Sequence, residues 1–172
     1  ETESWSDILA ARDEPLIERY RGLYGASIDY LDRVVCRFVD RIQAATDRET
    51  TFVVTADHGD NLGHEGDDDQ WGHVTSSLSE ALLHVPLVVL NGPESVGTVT
   101  EYVSHLQLGD LLVGLAKGDQ PAVTRERIPA ERVGYSGKLH RVDEVDPERN
   151  RLLRCVYEDD RKYLWDARDN RE

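Results

Sequence analysis

Thr50-Thr51-Phe52-Val53-Val54-Thr55-Ala56-Asp57-His58-Gly59-Asp60 decides how this chain is read. Residues 51–56 are β-branched and almost wholly apolar, the composition of a strand buried on both faces of a parallel sheet. The run then turns at once to a carboxylate, an imidazole and a glycine. Ligands in parallel α/β folds sit beyond the carboxyl ends of the strands, so Asp57 and His58 stand where such a fold does its chemistry. A carboxylate beside an imidazole can hold a divalent cation through oxygen and nitrogen donors. Gly59 lets the backbone turn sharply and stay clear of the site. On these residues alone the plainer reading stays open, with Asp57 capping a turn and His58 a solvated loop histidine.

On the N-terminal side, residues 14–45 carry helical periodicity in Leu16, Tyr20, Leu23, Tyr24, Ile28, Leu31, Val35, Phe38 and Ile42. Gly22 and Gly25 predict a weak middle and a break near them. On the C-terminal side a long polar stretch runs from Asp60 to about Ser77, with His64, Asp67-Asp68-Asp69 and His73 in it. Loops of that length in compact domains are functional or disordered. Leu78 to His84 reads as a short helix. Val85-Pro86-Leu87-Val88-Val89-Leu90 reads as a second buried strand with Pro86 at its start, where no ladder donor is needed. Glu101 to Ala116 is helical by pattern. Strand, loop, helix and strand again is the order of a parallel α/β sheet flanked by helices. Gly118 to Arg132 reads as a connector, and Leu152–Tyr157 with Lys162–Trp165 as an antiparallel hairpin around Glu158-Asp159-Asp160-Arg161. The expected division is an α/β core over 1–117 and a connector with a small β subdomain over 118–172.

Composition narrows the partners. Among 172 residues, 34 Asp and Glu face 20 Lys and Arg, a net charge of −14. That field repels phosphate backbones and anionic membrane surfaces, so nucleic acid is not an expected partner. No run approaches the roughly 18 apolar residues of a membrane span. The basic residues are nearly all arginine, with lysine only at 117, 138 and 162. An acidic, lysine-poor surface suits a salt-saturated cytoplasm, where screening tolerates self-repulsion. Cys36 and Cys155 are far apart and in no metal-binding spacing. The complete lack of methionine predicts that the chain is a piece of a longer protein.

Four segments in order then carry a resemblance. They are Tyr24-Gly25-Ala26-Ser27-Ile28-Asp29-Tyr30-Leu31-Asp32, Thr51 through Gly66, Trp71-Gly72-His73, and Glu80 through Val89. Together they resemble the sulfatase family of the alkaline-phosphatase superfamily, over roughly residues 15–116. Leu152 to Trp165 looks like the hairpin of the sulfatase C-terminal subdomain. The resemblance implies a truncated sulfatase-like α/β fold and hydrolysis of a small sulfate ester. Asp57 and His58, matching the family's Asp-His-Gly, would be metal ligands. The metal is usually calcium in sulfatases and manganese or zinc in relatives. His73 stands where many members carry a lysine that contacts the anionic ester; a histidine could do so when protonated, or act as general acid. Thr75 is the alternative alignment for that position. His64, His84 and His105 are given structural readings, Glu80 an orienting one, and Asp67–Asp69 that of a solvated loop.

The resemblance also says what is absent. Sulfatases make a formylglycine nucleophile in a Cys/Ser-x-Pro-x-Arg segment, and neither cysteine nor any serine here is so placed. The family's other acidic ligands, usually an Asp-Asp pair, have no match before Asp57. Nucleophile and half the metal site are therefore expected upstream of Glu1, and this chain alone is expected to be inert. Two alternatives stand beside this: a phosphoric or phosphonic ester hydrolase or phosphoryl transferase of the same superfamily, and a non-catalytic module that kept the fold.

Overall fold

The computed structural model describes residues 14–63, 71–73, 77–93, 96–119, 121–133 and 152–166. The chain opens with helix α1 (Glu14–Ala45), unbroken through Gly22 and Gly25 over 32 residues. The expected break does not occur. A cost of about 1 kcal/mol for each of the two glycines is absorbed by the 32-residue run. Ile17 and Val39 are its buried residues, while Leu23, Ile28, Leu31 and Phe38 of the predicted apolar face remain exposed.

Strand β1 (Phe52–Thr55) follows, then two-residue strands β2 (Asn61–Leu62) and β3 (Trp71–Gly72), the one-turn helix α2 (Glu80–Leu83) and β4 (Leu87–Leu90). β1 pairs with β4 antiparallel, from Phe52↔Leu90 to Thr55↔Leu87. This corrects the expected parallel arrangement of these two strands. A parallel partner needs a crossover that carries the chain back along the strand, usually on a helix of a dozen residues or more. Between Thr55 and Leu87 the described helix is the four-residue α2, so the chain re-enters at the end it left. The strands are also half-buried rather than enclosed, with Val88 and Val89 open to solvent.

The stretch Glu101 to Ala116, expected as one helix, divides into β5 (Tyr102–Val103), a 3-10 turn (His105–Gln107) and helix α3 (Leu108–Lys117). The Ser104 hydroxyl accepts from the Leu106 N–H and starts the turn. β5 pairs with β6 (Thr124–Arg125). The stretch read as a connector contains a seven-residue strand, β7 (Arg127–Val133), which joins β8 (Leu152–Glu158) and β9 (Arg161–Asp166) in the order β7-β8-β9. Its alternation of half-buried Ile128, Ala130 and Arg132 with exposed Arg127, Pro129, Glu131 and Val133 is the period-2 signal hidden by its charge. The β8–β9 hairpin forms as expected, turning on Asp159 (φ 47°) and Asp160 (φ 58°). Every strand pair among the described residues is antiparallel.

The core joins the three-stranded sheet to the segment before α2. Leu78, Leu153 and Cys155 are buried together, with Leu83, Ala130 and Tyr157 packed against them. A polar clasp closes over it. Tyr157 donates to Glu80 Oε1 at 2.5 Å, and Lys162 Nζ donates to the same oxygen at 3.0 Å and to the Leu78 carbonyl. The sheet thus fixes α2, and α2 in turn fixes the loop after β1. Among the described residues no helix is long and apolar enough to cross a membrane.

Candidate metal centre

β1 ends at Thr55, and Asp57 and His58 follow it directly. The Asp57 carboxylate accepts from the His58 backbone N–H at 3.1 Å and is otherwise exposed, its side chain 90% accessible. His58 Nδ1 lies 2.9 Å from the Gly59 carbonyl oxygen. That oxygen can only accept, so Nδ1 supplies the proton of this contact and Nε2 is the ring nitrogen left to bind a cation. Nε2 lies 3.8 Å from Asp57 Oδ2. The nitrogen free to bind a cation therefore already faces a carboxylate.

Gly59 sets the path of the loop. Its N–H donates to the Leu82 carbonyl at 2.9 Å, and a Cβ there would fall on the carbonyl oxygen of Ala81. No other residue can lie so close to α2. Two residues on, Asn61 is fully buried and accepts from Ser79 Oγ at 2.5 Å. From the other side, Arg21 of α1 donates to the carbonyls of Leu62 at 3.0 Å and Gly63 at 2.6 Å, and pairs with Glu18. The loop is held by helix and core at three successive points.

β2 and β3 then bring a distant residue in. Their register is Asn61↔Gly72 and Leu62↔Trp71. One step further along the same ladder, Asp60 faces His73. The two meet at 2.9 Å, Asp60 Oδ1 to His73 Nδ1. Gly72, at φ +70°, makes the left-handed turn that releases His73 from the strand. The His73 ring stacks on His58 with centroids 4.4 Å apart and planes at 28°. One ligand-type atom from each of His58, Asp60 and His73 lies within 4.8 Å of the others. Imidazole, carboxylate and imidazole are a donor set that fits a divalent cation.

Tyr24 of α1 borders this cluster. Burial pushes its phenol up from the ordinary value, and the nearby Asp60 carboxylate and Tyr20 add to that. At the end of β1, His105 Nε2 is 3.1 Å from Thr55 Oγ1. His84 N–H closes α2 on the Glu80 carbonyl. Burial tends to raise the Glu80 carboxyl, but hydrogen bonds from Tyr157 and Lys162 outweigh it and hold it below the ordinary value. Glu80 thus ties α2 to Tyr157 and Lys162 of the three-stranded sheet. His64, Thr75 and Asp67–Asp69 lie outside the described residues.

The structure therefore brings His58 and His73 together, with Asp57 beside His58 and not in the three-residue cluster. It adds Asp60, which sequence reasoning quoted but did not single out. Arg21, Asn61 and Ser79 were missed as well. Nothing in local composition marks them, because their partners are 41, 42 and 18 residues away.

Comparison with known proteins adds an independent line. No curated protein and no solved structure matches the chain. The family model described as sulfatase matches residues 1–118 of the 172. The match takes in α1, β1, the Asp57–His73 loop and β4, so the chain belongs to the sulfatase family of the alkaline-phosphatase superfamily.

Proposed function

We propose that the chain is the C-terminal part of a metal-dependent sulfatase-like hydrolase that cleaves a small sulfate ester. The observation that carries the reading is the placement of Asp57 and His58 at the end of β1, with Nε2 of His58 turned toward the Asp57 carboxylate. In this reading Asp57 and His58 are metal ligands, calcium being the family's usual ion. When bound, such a cation would neutralise developing charge on the ester oxygens. The chain's own residues orient and enclose. Gly59 and Asn61 hold the loop against α2 and Ser79, Arg21 holds it against α1, and His73 stands beside His58 where the family places a lysine on the anionic ester.

A nucleophile segment, of the formylglycine type, is proposed to lie upstream of Glu1. Support comes from surface left uncovered. Leu23, Ile28, Leu31 and Phe38 on α1 and Val88 and Val89 on β4 are exposed apolar positions. A two-stranded sheet is marginal by itself. In the whole fold the β1–β4 pair would border a larger sheet with parallel strands, over an α/β core that includes 1–117, with 118–172 as the smaller subdomain. A halophilic cytoplasm is proposed from the charge of −14 and the scarcity of lysine.

The test is hydrolysis of 4-nitrophenyl sulfate against 4-nitrophenyl phosphate by the polypeptide that includes the residues encoded upstream of Glu1. Sulfate is expected to be preferred, and Asp57→Ala to cut turnover about a hundredfold or more while the fold persists. A preference for phosphate moves the reading to the phosphoryl branch of the superfamily. Near-normal turnover in Asp57→Ala removes Asp57 from the metal.

A further inference from the structure

We propose that Asp60 and His73 join His58 in a single site for a divalent transition-metal ion of the zinc kind, in preference to calcium. This rests on His58 as a ligand in the reading above and goes beyond it in membership and in metal.

Three observations support it. First, the β2–β3 register, not a chance of side-chain rotation, sets Asp60 against His73. The β2 side of that ladder is anchored, Asn61 by its buried hydrogen bond to Ser79 and the loop just before it by the Gly59 N–H bond to Leu82. Second, the spacing suits a small ion. An ion with tetrahedral bonds of about 2.1 Å holds adjacent ligands about 3.4 Å apart; Asp60 Oδ1 and His73 Nδ1, hydrogen-bonded at 2.9 Å, need to part by only about half an ångström to admit one. A metal entering there takes the place of the proton now shared by that pair. A ring nitrogen of His58 completes the group from within 4.8 Å. The side chains of His58 and His73 are 44% and 51% exposed, so closing the remaining distance needs only rotation of exposed rings. Third, the donors are of the wrong kind for calcium. Calcium takes six to eight oxygens; two imidazoles and one carboxylate suit zinc and its first-row neighbours. The three ligands leave coordination positions open for water or an anionic group, as in catalytic rather than structural zinc sites.

Isothermal titration of the chelator-stripped 172-residue chain with Zn²⁺ and, separately, Ca²⁺ tests this. One Zn²⁺ per chain is expected, bound at least about tenfold more tightly than Ca²⁺. Asp60→Asn and His73→Gln should each weaken Zn²⁺ about tenfold or more, with thermal unfolding checked to show both variants folded. Co²⁺ used as a probe should give ligand-field bands in the wild type that both variants lose. Tighter Ca²⁺ than Zn²⁺ binding overturns the proposal, as does Zn²⁺ binding untouched by both variants, or no binding at all. Ca²⁺ binding that Asp57→Asn abolishes and Asp60→Asn and His73→Gln leave intact overturns it while sparing the sulfatase reading. Failure of that reading would show instead in the ester assay, which this titration does not use.

Discussion

Asp60 and His73 are 13 residues apart and meet at 2.9 Å because β2 and β3 pair with Asn61 opposite Gly72. The contact is a consequence of backbone register, so it is only as firm as the anchors of β2. The first of these is Asn61, whose side chain is fully buried against Ser79. Asn61→Ala leaves the Ser79 hydroxyl facing an apolar methyl. A loss of about 1–3 kcal/mol is expected, read as a lower denaturation midpoint in urea. An unchanged midpoint would mean that water replaces the amide at no cost.

Gly59→Ala is expected to be worse. The new Cβ would meet backbone rather than a movable side chain, at the carbonyl of Ala81. Either α2 shifts or the Gly59 N–H bond to Leu82 is lost. We expect about 2–4 kcal/mol of destabilisation and altered amide chemical shifts at His58 and Asp60. A variant as stable as wild type would show that the loop does not lie against α2.

The clasp on Glu80 should make stability fall in acid. Its carboxyl is held below the ordinary value, net of burial, by Tyr157 and Lys162. The folded state therefore binds its proton less readily than the unfolded one. The contribution is present above the unfolded carboxyl value of about 4.3 and is lost as pH falls through the lower folded value. Melting temperatures of wild type and Glu80→Gln should differ at pH 7 and converge toward pH 3. A constant gap over that range would remove the charge on Glu80 from the explanation.

The β8–β9 turn is strained by its own residues. Asp159 and Asp160 both sit at positive φ, the two-residue turn that favours Asn-Gly. Asp160→Gly relieves one left-handed position and should stabilise the chain by about 0.5–1 kcal/mol. Since β8 carries Leu153 and Cys155 of the core, the gain should appear in the global transition. A drop in melting temperature would mean that the Asp160 side chain contributes more than its backbone costs.

Salt provides the test of the acidic surface. With a net charge of −14, raising KCl from dilute buffer to molar concentration should screen self-repulsion and raise the melting temperature steeply. A flat or falling profile would place the chain among ordinary acidic proteins.

What was readable beforehand and what was not follows the range of the interactions. Local pattern is a property of neighbours, so α1, the strand ending at Thr55, the strand ending at Leu90 and the hairpin around Asp159-Asp160 were legible in the sequence. Asp57 and His58 could be singled out because side-chain chemistry beside a strand end is local too, and His73 through the resemblance; the family match over 1–118 agrees with that resemblance. Strand direction was not legible. β1 and β4 have the same apolar composition whether they run parallel or antiparallel, and the return path of residues 56–86 made the choice. β7 was missed because Arg127, Pro129, Glu131 and Arg132 obscure its alternation, and it became a strand by pairing with β8, Ile128 opposite Tyr157 and Ala130 opposite Cys155. The unbroken α1 shows propensity summed over many turns outweighing two glycines. Asp60 became a partner of His73 only through a two-residue ladder, and Arg21 and Ser79 became its supports only through contacts across the fold. Sequence set the chemistry available at the end of β1, since residue type needs no partner to be known. Tertiary structure decided which of those groups face one another, since that depends on register and on where the chain returns.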